Sequence, residues 1–243
     1  MTIASGNSAR NVPHLIRTDV SRLAPGDRRA IPWVLGALEG SNKLFRHMFR
    51  QETLEGPFVF DGSRAGNYYP EDLTKEGLES FLKLQPHRRD ELLNGFTVVR
   101  RDESDFTTVS YHDAYREYLS PIAASLRGAR LAVESSDFER FIHALIEELQ
   151  GRAPPDSAID PWLRVGNNLE KAGLELSLGF HESYADPLFG MKRAIHGVFG
   201  IVNVEETRKF RRVHRVLQNF DAVLGKKYGY EPITSHTNVV AIN

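Results

Sequence analysis

The 243-residue chain contains no cysteine, which excludes disulfide bonds, thiolate catalysis and cysteine-ligated zinc. No apolar run approaches the length of a membrane span, and the first residues lack the apolar centre of a signal peptide. Basic and acidic residues nearly balance, at 31 against 32, so no overall field attracts nucleic acid or an anionic membrane. These absences predict a cytoplasmic protein that has neither nucleic acid nor a membrane as a partner.

Several catalytic motifs are also missing. There is no glycine-rich phosphate loop and no G-x-S-x-G nucleophile motif, so nothing indicates a nucleotide cofactor or a serine hydrolase. We therefore expect no cofactor.

The pattern of apolar residues predicts a mostly helical α+β domain. Residues 27–49, 112–132, 137–150 and 205–224 have helical spacing, and residues 96–100 and 106–109 flank a polar turn as in a hairpin. Residues 174–180 alternate like a half-buried strand. We expect a loose arm over 1–24, a single domain over 25–243, and a joint near 151–161, where glycine and prolines concentrate.

The segment 205–224 is amphipathic. Phe210, Leu217 and Phe220 lie on one side, with Val213 and Leu224, and we expect this face to be buried and the helix to end at Gly225. The basic run at 208–215 falls mostly on the other side. A solvated helix face explains that run better than a phosphate or nucleic-acid site does.

The polar stretch "GFHESYADPLFG" (179–190) resembles the start of a zinc-protease helix. Such a helix needs a second histidine, as in HExxH, but position 185 is alanine. Asp186 could bind zinc in a longer spacing, yet Pro187 follows at once and opposes a continuous helix. The stretch therefore predicts no metal site.

Alternating positions in this stretch carry Glu182, Tyr184 and Asp186. In an extended chain these three side chains point to one side, where a carboxylate and a phenol suit an ammonium group. The alternative is a polar strand edge whose carboxylates meet only arginine or water, and spacing alone favours that alternative.

The segments "GFHESYADPLFGMK" and "GVFGIVN" favour the ammonium site over the polar strand edge, because they resemble the dipeptidyl-peptidase III family. Its G-[FP]-x-E-[ST]-Y-x-D segment and later hydrophobic-Val-Asn motif are similar to these two segments. "YYPEDLT", "TVVRR" and "VSYHDAYREYL" resemble its N-terminal half in the same order, so the resemblance spans about residues 25–205.

The resemblance implies a fold like the lower lobe of that peptidase, with a small mixed sheet or partial barrel. It implies that Glu182 and Tyr184 bind the free amino terminus of a peptide. Within the similar segments, Tyr111, His112, Asp186 and Lys192 are further substrate-binding candidates. The family's HELLGH zinc segment has no counterpart in the sequence, so we expect no bound metal.

Two departures from the family pattern introduce imidazoles near the anchor. His181 directly precedes Glu182, and His196 stands where the family has a glutamate. We therefore expect a metal-independent enzyme for a small amine, amino acid or short peptide, with Glu182, His181 and His196 as catalytic residues. A non-catalytic amine-binding pseudo-peptidase and a fragment of a longer zinc peptidase remain alternatives. The oligomeric state is not predictable from these features.

Overall fold

A computed structural model describes residues 18–50, 66–103, 105–167, 173–186, 188–232 and 241–242. Most of the predicted arm and the apolar residues near position 59 lie outside these ranges. The helices are α1 (Pro25–Met48), α2 (Lys75–Leu84), α3 (Arg89–Leu92), α4 (Tyr111–Ala114), α5 (Arg116–Ala132), α6 (Ser136–Leu149), α7 (Ile159–Asn167) and α8 (Val204–Tyr228). The strands are β1 (Thr97–Asp102), β2 (Asp105–Ser110), β3 (Leu174–Glu182) and β4 (Ala194–Ile201).

The predicted α+β class with mostly helical content is confirmed. Within the described residues the strands form two separate antiparallel pairs, β1 with β2 and β3 with β4, in place of one mixed sheet or partial barrel. The first pair is the predicted hairpin. The polar stretch around Glu182 leads from β3 into the turn before β4. The register of this second pair places Gly179 opposite His196.

The core is organised around α1, which packs against α5 on one side and β4 on the other. The approach of α1 to α5 is close at Gly40, because a Cβ there would lie 2.7 Å from Cγ1 of Ile122. Pro121 lies inside α5 without ending it, and the break in this region falls at Tyr115, between α4 and α5.

Helix α6 follows the prediction closely. Its start is capped by Ser135, whose hydroxyl accepts a hydrogen bond from the Phe138 amide, and its apolar face is buried. It packs against α5, α7 and β3. Six of the nine residues of β3 are buried, more than the half-burial that its alternation predicts. This arrangement places the C-terminal end of β3 beside α6 and α7.

Helix α8 differs from its prediction in length and in burial. It runs on through Gly225 and ends at Gly229, which has a left-handed backbone conformation. Only Thr207 and Gly225 of the helix are buried, and four of the five apolar residues expected in the core are exposed: Phe210, Val213, Leu217 and Phe220. The prediction was wrong on burial because periodicity identifies an amphipathic helix but not what covers it.

The contact between α1 and α5 can be tested at Gly40. We expect Gly40→Val to lower the free energy of unfolding by about 1–3 kcal/mol, because the added methyl groups would overlap Ile122. Asn42→Val is the control, since it puts the same side chain on an exposed position of α1. Urea denaturation should show a much smaller loss for the control. Equal losses would contradict a close packing contact at Gly40, because the helix propensity of valine exceeds that of glycine.

Candidate functional site

A cavity of about 330 Å³ opens between α6, α7 and the β3–β4 pair. Three of the sequence-predicted residues, His181, Glu182 and His196, lie in its wall. The rest of the wall comes from α6, the loop after it, α7 and β3, and it is mostly apolar: Phe141, Leu145, Glu148, Asp156, Ala158, Ile159, Trp162, Ser177 and Leu178. The site is therefore assembled from parts of the chain that are distant in sequence.

A bulge in β3 explains how two consecutive residues reach the same cavity. Neighbouring residues of a regular strand point to opposite faces of the sheet. The pairing of β3 with β4 shifts between Phe180 and Glu182, so His181 is the extra residue. As a result, both His181 and Glu182 line the cavity.

Glu182 and His196 form the central contact. Oε1 of Glu182 lies 3.5 Å from Nδ1 of His196, and their side chains are 24% and 49% exposed. The Tyr184 hydroxyl hydrogen-bonds to Glu182 from outside the cavity wall. Desolvation, followed by the charge and hydrogen bond of Glu182, raises the pKa of the Tyr184 phenol. Glu182 thus has an imidazole and a phenol as partners and stays partly open to solvent.

His181 lies over the backbone of Gly179. A Cβ at Gly179 would come within 2.6 Å of the His181 ring, so only glycine leaves room for this ring position. The cavity walls desolvate the imidazole and lower its pKa, although part of the side chain reaches solvent. A lowered pKa keeps His181 neutral at pH 7, in the form that accepts a proton.

Three polar residues of the wall have no motif in the sequence. Glu148 of α6 accepts a hydrogen bond from the Ala158 amide at 3.0 Å and so fixes the turn before α7. Asp156 pairs with Arg193 at 3.3 Å. The indole N–H of Trp162 donates to the buried Glu175 carboxylate at 2.5 Å. Asp156 lies in the predicted joint at 151–161, Glu148 in the helix before it and Trp162 directly after it.

Tyr111 and His112 lie in a second cavity, of about 480 Å³. His112 contacts Asp113 through Nε2 at 3.1 Å, and Tyr111 is almost fully buried. Glu148 belongs to the walls of both cavities. Two of the predicted substrate-binding residues, Tyr111 and His112, therefore lie in a different cavity from the predicted catalytic residues.

Asp186 and Lys192 belong to neither cavity wall but to a buried network in the turn between β3 and β4. The Asp186 carboxylate accepts hydrogen bonds from the Tyr69 hydroxyl and from four backbone amides, those of Leu188, Phe189, Met191 and Lys192. The ammonium of Lys192 donates to the Asn94 carbonyl and to Thr97, and burial lowers its pKa to about 7. These contacts are structural, and the substrate-binding role of both residues stays a prediction.

The described residues contain no group of three or more His, Asp or Glu side chains placed to hold a metal ion. The zinc site of the dipeptidyl-peptidase III family therefore has no ligand set in this part of the chain. None of the described helices is long and apolar enough to cross a membrane.

Two solved structures have the same architecture over 86% of the chain. They are dipeptidyl-peptidase III from Caldithrix abyssi, with a TM-score of 0.73 and 20% sequence identity, and dipeptidyl-peptidase III from Corallococcus sp. strain EGB, with 0.72 and 22%. The chain has the fold of part of dipeptidyl-peptidase III. It covers 46% and 45% of the two structures, so it corresponds to about half of their length. Neither a family model nor a curated protein matches the sequence.

This likeness confirms the fold that the sequence motifs indicate. At these identities it does not transfer an activity, and the roles of Glu182, Tyr184 and the two histidines remain predictions. The dipeptidyl-peptidase III-like scaffold is the frame in which their geometry is interpreted.

The network around Asp186 predicts a large effect on stability. Asp186→Ala would leave the Tyr69 hydroxyl and four amides without their acceptor, so we expect a loss of about 3–5 kcal/mol in the free energy of unfolding. Asp72→Ala, which removes an exposed ion pair with Arg101, should cost less than about 1 kcal/mol. Urea denaturation compares the two. Similar small losses would show that water replaces the carboxylate.

The buried carboxyl group of Glu175 predicts that the stability of the protein depends on pH. Burial raises the pKa of Glu175 to about 7 from an ordinary value of 4.5. Because the folded-state pKa is the higher one, the contribution to stability is complete below about pH 4.5 and is lost as the pH rises through 7. Glu175→Gln cannot ionise, so its stability relative to wild type should increase between pH 5 and 8.5 by up to about 3 kcal/mol. Denaturation at the two pH values measures this, and the exposed Glu117→Gln should show no such trend.

Proposed function

We propose that the chain binds a small amine, amino acid or short peptide through its free ammonium group, and acts on it by carboxylate and imidazole acid–base chemistry without a metal. The observation that carries this proposal is the contact between Glu182 and His196, 3.5 Å apart in the wall of a cavity that also contains His181. The confirmed part is the dipeptidyl-peptidase III-like scaffold.

The chemistry of the wall favours a cationic ligand. Glu182 offers a carboxylate that is 24% exposed, and Trp162 provides an aromatic surface in the same cavity. The Asp156 carboxylate already pairs with Arg193, and Glu148 caps the turn at Ala158. Glu182 is therefore the carboxylate best placed to receive the ammonium group. The hydrogen bond from Tyr184 orients this carboxylate.

The two histidines suit different steps of proton transfer. His196 directs Nδ1 to Glu182, which leaves Nε2 for a proton of the substrate. His181 has a lowered pKa and is neutral at pH 7, so it can act as the base. A protein that uses this base should lose turnover as the pH falls below the ordinary imidazole pKa of about 6.5.

A binding function without turnover is the second candidate. The Tyr184 side chain is 66% exposed, so the anchor opens to solvent as an amine-binding surface would. A third candidate, in which the chain supplies the amine-binding part of a longer zinc peptidase, is supported by its coverage of about half of the two solved structures.

The amine anchor can be tested with pairs of free and N-acetylated dipeptides, measured by calorimetry. We expect the free amines to bind and the acetylated partners not to bind, and Glu182→Gln to weaken binding by at least about tenfold, a loss of about 1.4 kcal/mol. Glu117→Gln, on an exposed position of α5, should bind like wild type. Equal binding of acetylated and free ligands would reject the anchor.

Turnover separates the enzyme from the binder. Product analysis on ligands that bind should show conversion that falls about 10²–10⁴-fold in Glu182→Gln, while binding weakens less. His181→Asn should remove the acidic limb of the pH profile. Binding without conversion would support the second candidate. The third candidate also predicts binding without conversion by this chain, because the described residues contain no ligand set for zinc.

A further inference from the structure

We propose that α8 is a dimerisation helix, through which two copies of the chain pair in antiparallel orientation. The proposal concerns the outer surface of the molecule and is independent of the function proposed for the cavity. It rests on the exposure, spacing and charge arrangement of a set of residues called here the α8 stripe: Phe210, Val213, Val216, Leu217, Phe220 and Val223.

The α8 stripe is strongly exposed. Its six side chains are between 52% and 66% exposed, although all six are apolar. At 3.6 residues per turn they occupy an arc of about 140°, and the buried Thr207 and Gly225 lie on the opposite side of the helix. The stripe therefore points away from the body of the protein, where a second helix can approach it.

The spacing of the apolar residues is that of a coiled-coil contact. Phe210, Val213, Leu217, Phe220 and Leu224 follow one another at intervals of three and four residues, as the a and d positions of a heptad do. Val216 and Val223 widen the strip on one side. Helix α8 thus presents a continuous line of side chains that interlocks with a helix of the same pattern.

The charges favour an antiparallel pair. Glu205 and Glu206 lie in the first turn of α8, and Lys226 and Lys227 in the last. In an antiparallel pair centred near residue 215, the acidic turn of one copy faces the basic turn of the other, and the two helix dipoles are antiparallel, which is favourable. A parallel pair would bring the two basic ends together. Arg208, Arg212 and Arg215 fall beside the stripe and stay in solvent.

The exposed area is close to what a dimer needs. Since a large aromatic side chain carries about 150–250 Å² of surface, the stripe exposes on the order of 500 Å² of apolar surface in each copy. This is near the upper end of about 300–600 Å² for the largest patch on a monomer. Two stripes with their flanking side chains approach the roughly 1,200 Å² at which stable interfaces begin.

The main test is sedimentation of the full chain at several concentrations. We expect wild type to form a dimer and Leu217→Glu to raise the dimer dissociation constant by about 100-fold or more, because symmetry places the buried charge in the interface twice. Arg215→Glu is the control, since it changes charge on the solvent side of the same helix turn. Circular dichroism should show both variants folded, because Leu217 is 58% exposed. A wild-type protein that is still monomeric at about 100 µM, near the highest useful concentration, would overturn the proposal.

Disulfide formation tests the relative orientation of the two helices. No native cysteine can interfere, because the chain contains none. Mixing Phe210→Cys with Phe220→Cys chains should give a mixed disulfide, whereas Phe210→Cys alone should remain reduced. The reverse result would mean a parallel pair and would reject the antiparallel arrangement. Flotation of monomeric wild type with phosphatidylserine vesicles, lost in Arg215→Glu, would instead identify α8 as a membrane-surface helix and reject the dimer.

Discussion

The candidate site depends on one buried carboxylate. Asp186 gathers four backbone amides and the Tyr69 hydroxyl around its two oxygens, and so fixes the turn between β3 and β4. Without that turn, the pairing that sets Gly179 opposite His196 has no fixed register. The distance between Glu182 and His196 follows from this register. A residue that contacts no cavity therefore determines the geometry of the cavity wall.

The helical part of the fold could be predicted where the pattern and its caps agree. Helix α6 has a full apolar face and a serine cap, and the structure matches both. The same kind of pattern in α8 predicted a buried helix and was wrong, because amphipathicity is a local property and burial depends on a partner. The break at Tyr115 was also missed, because the helical spacing of the segment 112–132 continues through it.

The site was predictable only in part. Motif similarity drew attention to His181, Glu182 and His196, and the structure brings all three into one cavity. Their common direction depends on the bulge at His181, which no alternation rule indicates. Glu148, Asp156 and Trp162 could not be found from sequence, because only tertiary packing brings the end of α6, the following loop and α7 to the end of β3.

Glu148 has a consequence for how the two cavities relate to each other. It belongs to both walls and also caps the turn at Ala158, so a shift of this carboxylate alters both spaces together. Thermodynamic linkage is reciprocal: a ligand that displaces Glu148 in one cavity changes affinity in the other, and by the same factor in return. A single molecule long enough to enter both cavities would bind more tightly, because binding in one cavity raises its effective concentration at the other. Two short ligands would instead compete or cooperate through the Glu148 side chain.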